Sequence, residues 1–154
     1  MNTIESRLNG LGHELPDAPA AVGSYVPALQ VGSLVITSGQ LPFTAGELVL
    51  PGRIGSELTV EQGQQAARIC VLNGLSQIKE VIGNLDRISR IVRVEGYIHS
   101  AAGFTNQPQV LNGASDLLVG IFGETGKHTR IAIGVSEMPL NAAVQLAIWA
   151  EFAD

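Results

Sequence analysis

Residues 129–152 read Thr129-Arg-Ile-Ala-Ile-Gly-Val-Ser-Glu-Met-Pro-Leu-Asn-Ala-Ala-Val-Gln-Leu-Ala-Ile-Trp-Ala-Glu-Phe152. Two β-like runs, 129–135 and 142–152, flank a Pro-Leu-Asn turn, and the stretch reads as a closing hairpin. Alternation sorts the first run into two faces. Ile131, Ile133 and Val135 point one way; Arg130, Ala132, Gly134 and Ser136 point the other. A guanidinium therefore stands on a strand face whose other residues are small, which leaves space beside a fixed positive charge. From Arg93 to the C-terminus the further formal cations are Lys127 and Arg130, and of these two Arg130 alone lies inside a predicted strand.

Working outward, 154 residues fit one domain with a sizeable core, residues 1–19 forming an N-terminal helix and linker extension. Hydrophobic residues make up 45% of the chain but aromatics 5%, so the apolar bulk is Val, Ile, Leu and Ala. Such a chain carries more apolar surface than a monomer hides, which points to an oligomer. The net charge of −5 and the absence of any basic run argue against nucleic acid as a partner. Cys70 is the single cysteine, which excludes an intramolecular disulfide and zinc sites built on cysteine pairs; in a predicted helix it reads as a small buried hydrophobe. No signal-peptide core and no run of ~18 apolar residues is present, so no membrane partner and a cytoplasmic location are expected.

Ile4, Leu8 and Leu11 have helical spacing within residues 3–12, which predicts a short amphipathic helix ending at Gly10 or Gly12; residues 16–21, Pro-Asp-Ala-Pro-Ala-Ala, read as a linker. Residues 25–31 and 34–38 around Gly32-Ser33 predict a hairpin that stops at Ser38-Gly39-Gln40-Leu41-Pro42. Residues 43–58 read as a Gly-rich loop. Thr59-Val-Glu-Gln62 is a capping-box signature, and the apolar stripe through Ala66, Ile69, Cys70, Leu75, Ile78 and Ile82 carries a helix to Gly83. A strand over 88–99, a loop to Pro108 and a second helix over 110–122 follow. Helices are too few for a doubly wound fold. The expectation is α+β: one mixed sheet with two helices on one face and a short N-terminal helix.

Several motifs carry no chemistry. Gly126-Lys127-His128-Thr129 lacks the Gly and the Ser/Thr of a phosphate loop, with Ile121 and His128 in those places. His13, His99 and His128 are far apart with no helical pair, so no metal is expected. Arg87, Arg90 and Arg93 fit a solvated strand face beside Glu95. An isolated strand arginine more often pairs with a neighbouring carboxylate than with a ligand, but a salt bridge does not require the small residues Ala132 and Gly134. The planar fork of Arg130 matches a carboxylate, which points to a small carboxylic acid as ligand.

Ala20-Ala-Val-Gly-Ser-Tyr25, Ile36-Thr-Ser-Gly-Gln-Leu-Pro42, Asn112, Thr129-Arg130 and Val135-Ser-Glu-Met-Pro139 together resemble the reactive intermediate deaminase family (RidA, also called YjgF, historically the L-PSP endoribonucleases). The resemblance runs in order from residue 20 to residue 152, and the helix before Ala20 with extra residues near Gln107 suggests a longer subgroup. It implies a chorismate-mutase-like fold, a homotrimer and clefts between subunits. It also implies hydrolytic deamination of small 2-imino or 2-enamino acids to 2-oxo acids and ammonia, with no cofactor. Arg130 then grips the substrate carboxylate, while Tyr25, Ser38, Gly39, Phe104 and Asn112 line the cleft and the Ala132 carbonyl faces it. One departure matters most: Gln145 stands where the family commonly has a water-activating Glu. An amide can orient water but cannot take its proton, and such acid–base help is worth ~10²–10⁴-fold. A non-catalytic binder of small carboxylates such as 2-oxo acids is therefore the rival expectation. A ribonuclease is disfavoured by the acidic chain, and a chorismate mutase by the single cation available for a dicarboxylate.

Overall fold

The capping box is formed in full. In the computed structural model, which describes residues 2–154, the Thr59 amide donates to Gln62 Oε1 at 2.9 Å and the Gln62 amide to Thr59 Oγ1 at 3.1 Å. From this start helix α2 runs Val60–Ile82, and Gly83 ends it at a φ of 84°. A shorter helix α1 (Ile4–Gly10), capped by Thr3, precedes it, and α3 (Gln107–Phe122) follows later. Helix α3 starts three residues before the expected 110 because Pro108 sits in its first turn, where a missing N–H costs nothing.

Five strands form the main sheet: β1 (Ala28–Val31), β2 (Leu34–Thr37), β5 (Ile88–His99), β6 (Thr129–Val135) and β7 (Val144–Phe152), in the order β1-β2-β7-β5-β6. Two-residue strands β3 (Phe43–Thr44) and β4 (Glu47–Leu48) make a small hairpin inside the region expected to be loop. Tyr25 lies before β1 rather than within it.

The expected closing hairpin does not exist. Strands β6 and β7 flank β5 on opposite sides, β6 parallel to it and β7 antiparallel, so the Pro-Leu-Asn turn leads across the sheet instead of joining neighbours. Parallel pairing of β5 with β6 requires a crossover, which α3 supplies. Strand β7 then inserts between β5 and β2, where its Val144, Leu146, Ile148 and Ala150 are fully buried.

Helices α2 and α3 cover one face of the sheet. The core lies between and gathers Val94 and Ile98 of β5, Cys70, Leu75 and Ile78 of α2, and Leu111, Leu118 and Ile121 of α3 into one buried cluster. Each such side chain contributes roughly 1.5–3 kcal/mol by leaving water. The helices approach so closely that a Cβ on Gly113 would collide with the Gln64 backbone. The other face keeps Tyr97, Trp149 and Gln145 half-buried and Ile133 46% exposed, so an apolar surface stays open.

The N-terminal linker is tied down. Asn73, Ser76 and Gln77, at positions i, i+3 and i+4 of α2, are buried and polar, and each holds main-chain carbonyls. Ser76 Oγ donates to Pro16 O at 2.6 Å, Gln77 Nε2 donates to Pro19 O, and Asn73 Nδ2 donates to Leu41 O and Phe43 O at 3.0 Å each. Helix α1 is fastened by buried Ile4 and Leu8 and by an Arg7 bond of 3.1 Å to Ile121 O. Among the described residues no helix is long and apolar enough to cross a membrane.

Candidate functional site

The sheet register divides the expected site residues into two groups. Arg130 is paired with Val94 and Ala132 with Gly96; paired residues share a face, and Val94 is fully buried under the helices. Arg130 therefore lies on the helix side of the sheet, at the edge strand β6. Gln145 alternates with buried Val144 and Leu146 and pairs with Tyr97, so it lies on the open side. With β5 between their strands, the two are also roughly 10 Å apart along the hydrogen-bonding direction.

Around Arg130 every contact is to a neutral acceptor. Nη1 donates to Asn112 Oδ1 at 2.9 Å and to Ser115 Oγ at 3.1 Å, and Nη2 reaches Pro108 O at 3.4 Å. All three acceptors come from α3, one turn apart, as helical spacing requires. Among the described residues no carboxylate pairs with Arg130, and its Nε has no partner. Nη1 is thus fixed by two acceptors and Nη2 has one long contact to Pro108 O, while Nε stays open, which leaves donor capacity on the edge whose geometry matches a two-point grip on an anion. The small-residue face has a second cause, however. A Cβ on Gly134 would stand 2.6 Å from Gln107 Nε2, so part of the space beside Arg130 is filled by the start of α3. Ala132 is half-buried on the same face. Phe104 lies near the start of α3, where its carbonyl holds Gln107 Nε2 at 2.8 Å and its ring covers Gly55.

The second group lines a cleft of about 540 Å³. Tyr25, Ser38, Gly39 and Gln145 are all on its wall, together with Pro19–Val22 of the N-terminal arm, Gln77 and Leu140. Ser38 Oγ donates to Val26 O at 2.6 Å, and Tyr25 Oη accepts from the Val22 amide at 3.2 Å, so both hydroxyls brace the backbone. Gly39 is needed for close approach: a Cβ there would stand 2.5 Å from Gln145 Nε2 and 2.9 Å from its Cγ. Among the described residues no group hydrogen-bonds the Gln145 amide. Leu140, at a φ of 58° and 61% exposed, forms a lip of the same cleft; a non-glycine residue there holds strain of the kind found at ligand sites.

Sequence reasoning did not find Ser115, the α2 stripe or Leu140. The stripe had a signal in the spacing of Asn73, Ser76 and Gln77. Ser115 had none, because its partner Arg130 is known only from the register. His128 has no role legible in the sequence; it lies against Ser115, with Nε2 at 2.9 Å from Oγ, and burial lowers its pKa, with the Arg130 charge acting in the same direction and the Gly126 hydrogen bond against it. Cys70 is buried as expected, and burial raises its thiol pKa. Arg87 and Arg93 pair with Asp154 and Glu95, in keeping with a surface role. Among the described residues no three His, Cys, Asp or Glu side chains group as a metal site.

Fold and site define an α+β protein with one mixed sheet, two helices on one face, and polar site residues at the sheet edge and in a side cleft. The chain belongs to the YjgF family: a family model described as "YjgF/chorismate mutase-like, putative endoribonuclease" matches residues 5–152. Protein TCP17 of Trypanosoma cruzi is 41% identical over 144 residues, 93% of this chain and 90% of that one. A Shewanella oneidensis MR-1 structure carrying the same endoribonuclease description superposes with a TM-score of 0.94 at 43% identity, over 97% of this chain and 99% of that one. Protein Atu1372 of Agrobacterium tumefaciens, of unknown function, does so with a TM-score of 0.92 at 38% identity, over 97% and 92%.

Proposed function

We propose that the protein hydrolyses small 2-imino or 2-enamino acids to 2-oxo acids and ammonia, in a cleft completed between copies of the chain assembled as a homotrimer. Arg130 carries this reading: a guanidinium fixed by neutral acceptors, with Nε unpartnered among the described residues and Nη2 held only by a long 3.4 Å bond to Pro108 O, suits a substrate carboxylate. Water adds its oxygen to the imine carbon, the nitrogen takes up the protons released, and the C–N bond breaks to leave the 2-oxo acid and ammonia. Gln145 orients that water through its amide, with Gly39 leaving room for it. Since Arg130 and Gln145 lie on opposite faces of one sheet, they serve one substrate only when a second copy brings its Gln145 cleft against the Arg130 edge. The open apolar face and the edge strand β6 supply surface for that assembly. No cofactor enters the scheme.

A binder of 2-oxo acids without turnover is the second reading, and Gln145 favours it, since an amide cannot act as a base. The endoribonuclease description of the family finds little support in a chain of net charge −5 without a basic track. The deciding assay forms an imine in place from an amino acid and an oxidase and follows its loss against a scavenger. Acceleration that disappears in Arg130→Ala supports the enzyme; no acceleration with any imine, together with thermal stabilisation by a 2-oxo acid, supports the binder. A monomer mass by light scattering at micromolar concentration would exclude the shared cleft.

A further inference from the structure

We propose that Ser115 and His128 are positioning residues for Arg130, joined to it in a hydrogen-bond relay that works only while His128 is neutral; the inference rests on the reading of Arg130 as a carboxylate clamp. The directions of the relay follow from its geometry. His128 Nδ1 lies 2.6 Å from Gly126 O, and a carbonyl only accepts, so Nδ1 carries the proton. In the neutral ring Nε2 is then a bare acceptor. Ser115 Oγ, 2.9 Å away, must donate to it, which turns a lone pair of Oγ toward Arg130 Nη1 at 3.1 Å. Together with Asn112 Oδ1 at 2.9 Å, this occupies both hydrogens of Nη1 and leaves Nε, with the remaining hydrogen of Nη2 beside its 3.4 Å bond to Pro108 O, as the ligand edge. No bond in the chain can be reversed while the imidazole is neutral.

A second proton on His128 changes this. Nε2–H and Nη1–H then both point at Oγ, the Ser115 proton loses its acceptor, and an imidazolium stands beside the guanidinium. The other charged groups nearby are engaged among themselves or belong to neighbouring elements. Lys127 pairs with Glu124 at 2.6 Å in the preceding turn, and Arg93 pairs with Glu95 at 3.1 Å on β5. Asp116 follows Ser115 on α3, and Arg90 lies on β5. Burial lowers the His128 pKa most, the bond to the Gly126 carbonyl works against it, and the Arg130 charge acts with burial, so that the net shift is downward. The clamp is therefore ordered above that pKa and loosens as pH falls through it, in a window below 6.5.

The test uses the full chain with pyruvate as probe, its affinity measured by calorimetry from pH 7.5 to 5.0, and KM and kcat taken with an imine generated in place. Wild type is expected to lose about tenfold in affinity across the pH range. Ser115→Ala and His128→Phe are expected to start about tenfold weaker at pH 7.5, with KM raised and kcat little changed. His128→Gln, whose Oε1 can accept from Ser115, should bind like wild type at pH 7.5 and lose the pH step. A pH step that persists in His128→Gln, or wild-type affinity in Ser115→Ala and His128→Phe, overturns the relay. If Arg130→Ala binds pyruvate as wild type does, or wild type does not bind it, the clamp reading itself has failed. The relay is then judged without ligand, by nitrogen-15 chemical shifts: an Nδ1–H tautomer at His128 supports it and an Nε2–H tautomer overturns it.

Discussion

The two halves of the site are built by different means. The Arg130 half is a side-chain network: three acceptors on one helix, Asn112, Ser115 and Pro108, hold a guanidinium on the adjacent edge strand. The Gln145 half is made of backbone and shape: the hydroxyls of Ser38 and Tyr25 brace the main chain, Gly39 leaves room, and the Gln145 amide has no partner among the described residues. An anchor gains from a fixed direction, since every degree of freedom removed before binding is one not lost on binding. A group that handles water gains from a free hydrogen-bonding capacity. On the proposed reading the two halves are separable, so that a change at position 145 would alter the handling of water and not the grip on a carboxylate.

The comparison breaks most readily at its anchor. On the carboxylate-clamp reading, Arg130→Ala would remove a two-point charge-assisted grip worth ~3–4 kcal/mol, and a 2-oxo acid should bind about 10²–10³-fold more weakly by calorimetry while the melting temperature changes little. Gln145→Glu sharpens the other side: a base placed at that position should raise kcat ~10²-fold at neutral pH and leave KM within a few-fold. An unchanged kcat would mean that water is activated elsewhere. Gly39→Ala pushes Gln145 aside without touching Arg130; kcat should fall ~10-fold with ligand affinity preserved, since ~1.4 kcal/mol of misplacement is tenfold in rate. The smallest effect belongs to the brace of the cleft wall. Ser76→Ala leaves the Pro16 carbonyl without its donor and should lower unfolding free energy in urea by ~1 kcal/mol, with cleavage of the N-terminal arm by protease made faster.

Local order was legible because it rests on near neighbours. The Thr59–Gln62 box, the stripe down α2, the strand at Ile88–His99 and the parity of Arg130 all depend on residues within a turn or two. The small β3–β4 hairpin escaped because two-residue strands carry no period. The linker read at residues 16–21 is an ordered wall of the cleft, since what orders it is a polar stripe about sixty residues away. The neighbouring carboxylate that a lone strand arginine more often pairs with is absent among the described residues, and its place is taken by Asn112 and Ser115. Asn112 was indicated by the resemblance; Ser115 required the register.

Sequence alone determined where the long helices and the main strands lie, which residues share a strand face with Arg130, and which family the chain resembles. These are properties of periodicity, capping and residue type, and they are decided over a few residues. Tertiary structure decided that β6 and β7 are separated by β5, and so that Arg130 and Gln145 face opposite sides of the sheet. Strand pairing is chosen by which apolar faces bury best together across long stretches of chain, and no local pattern records that choice.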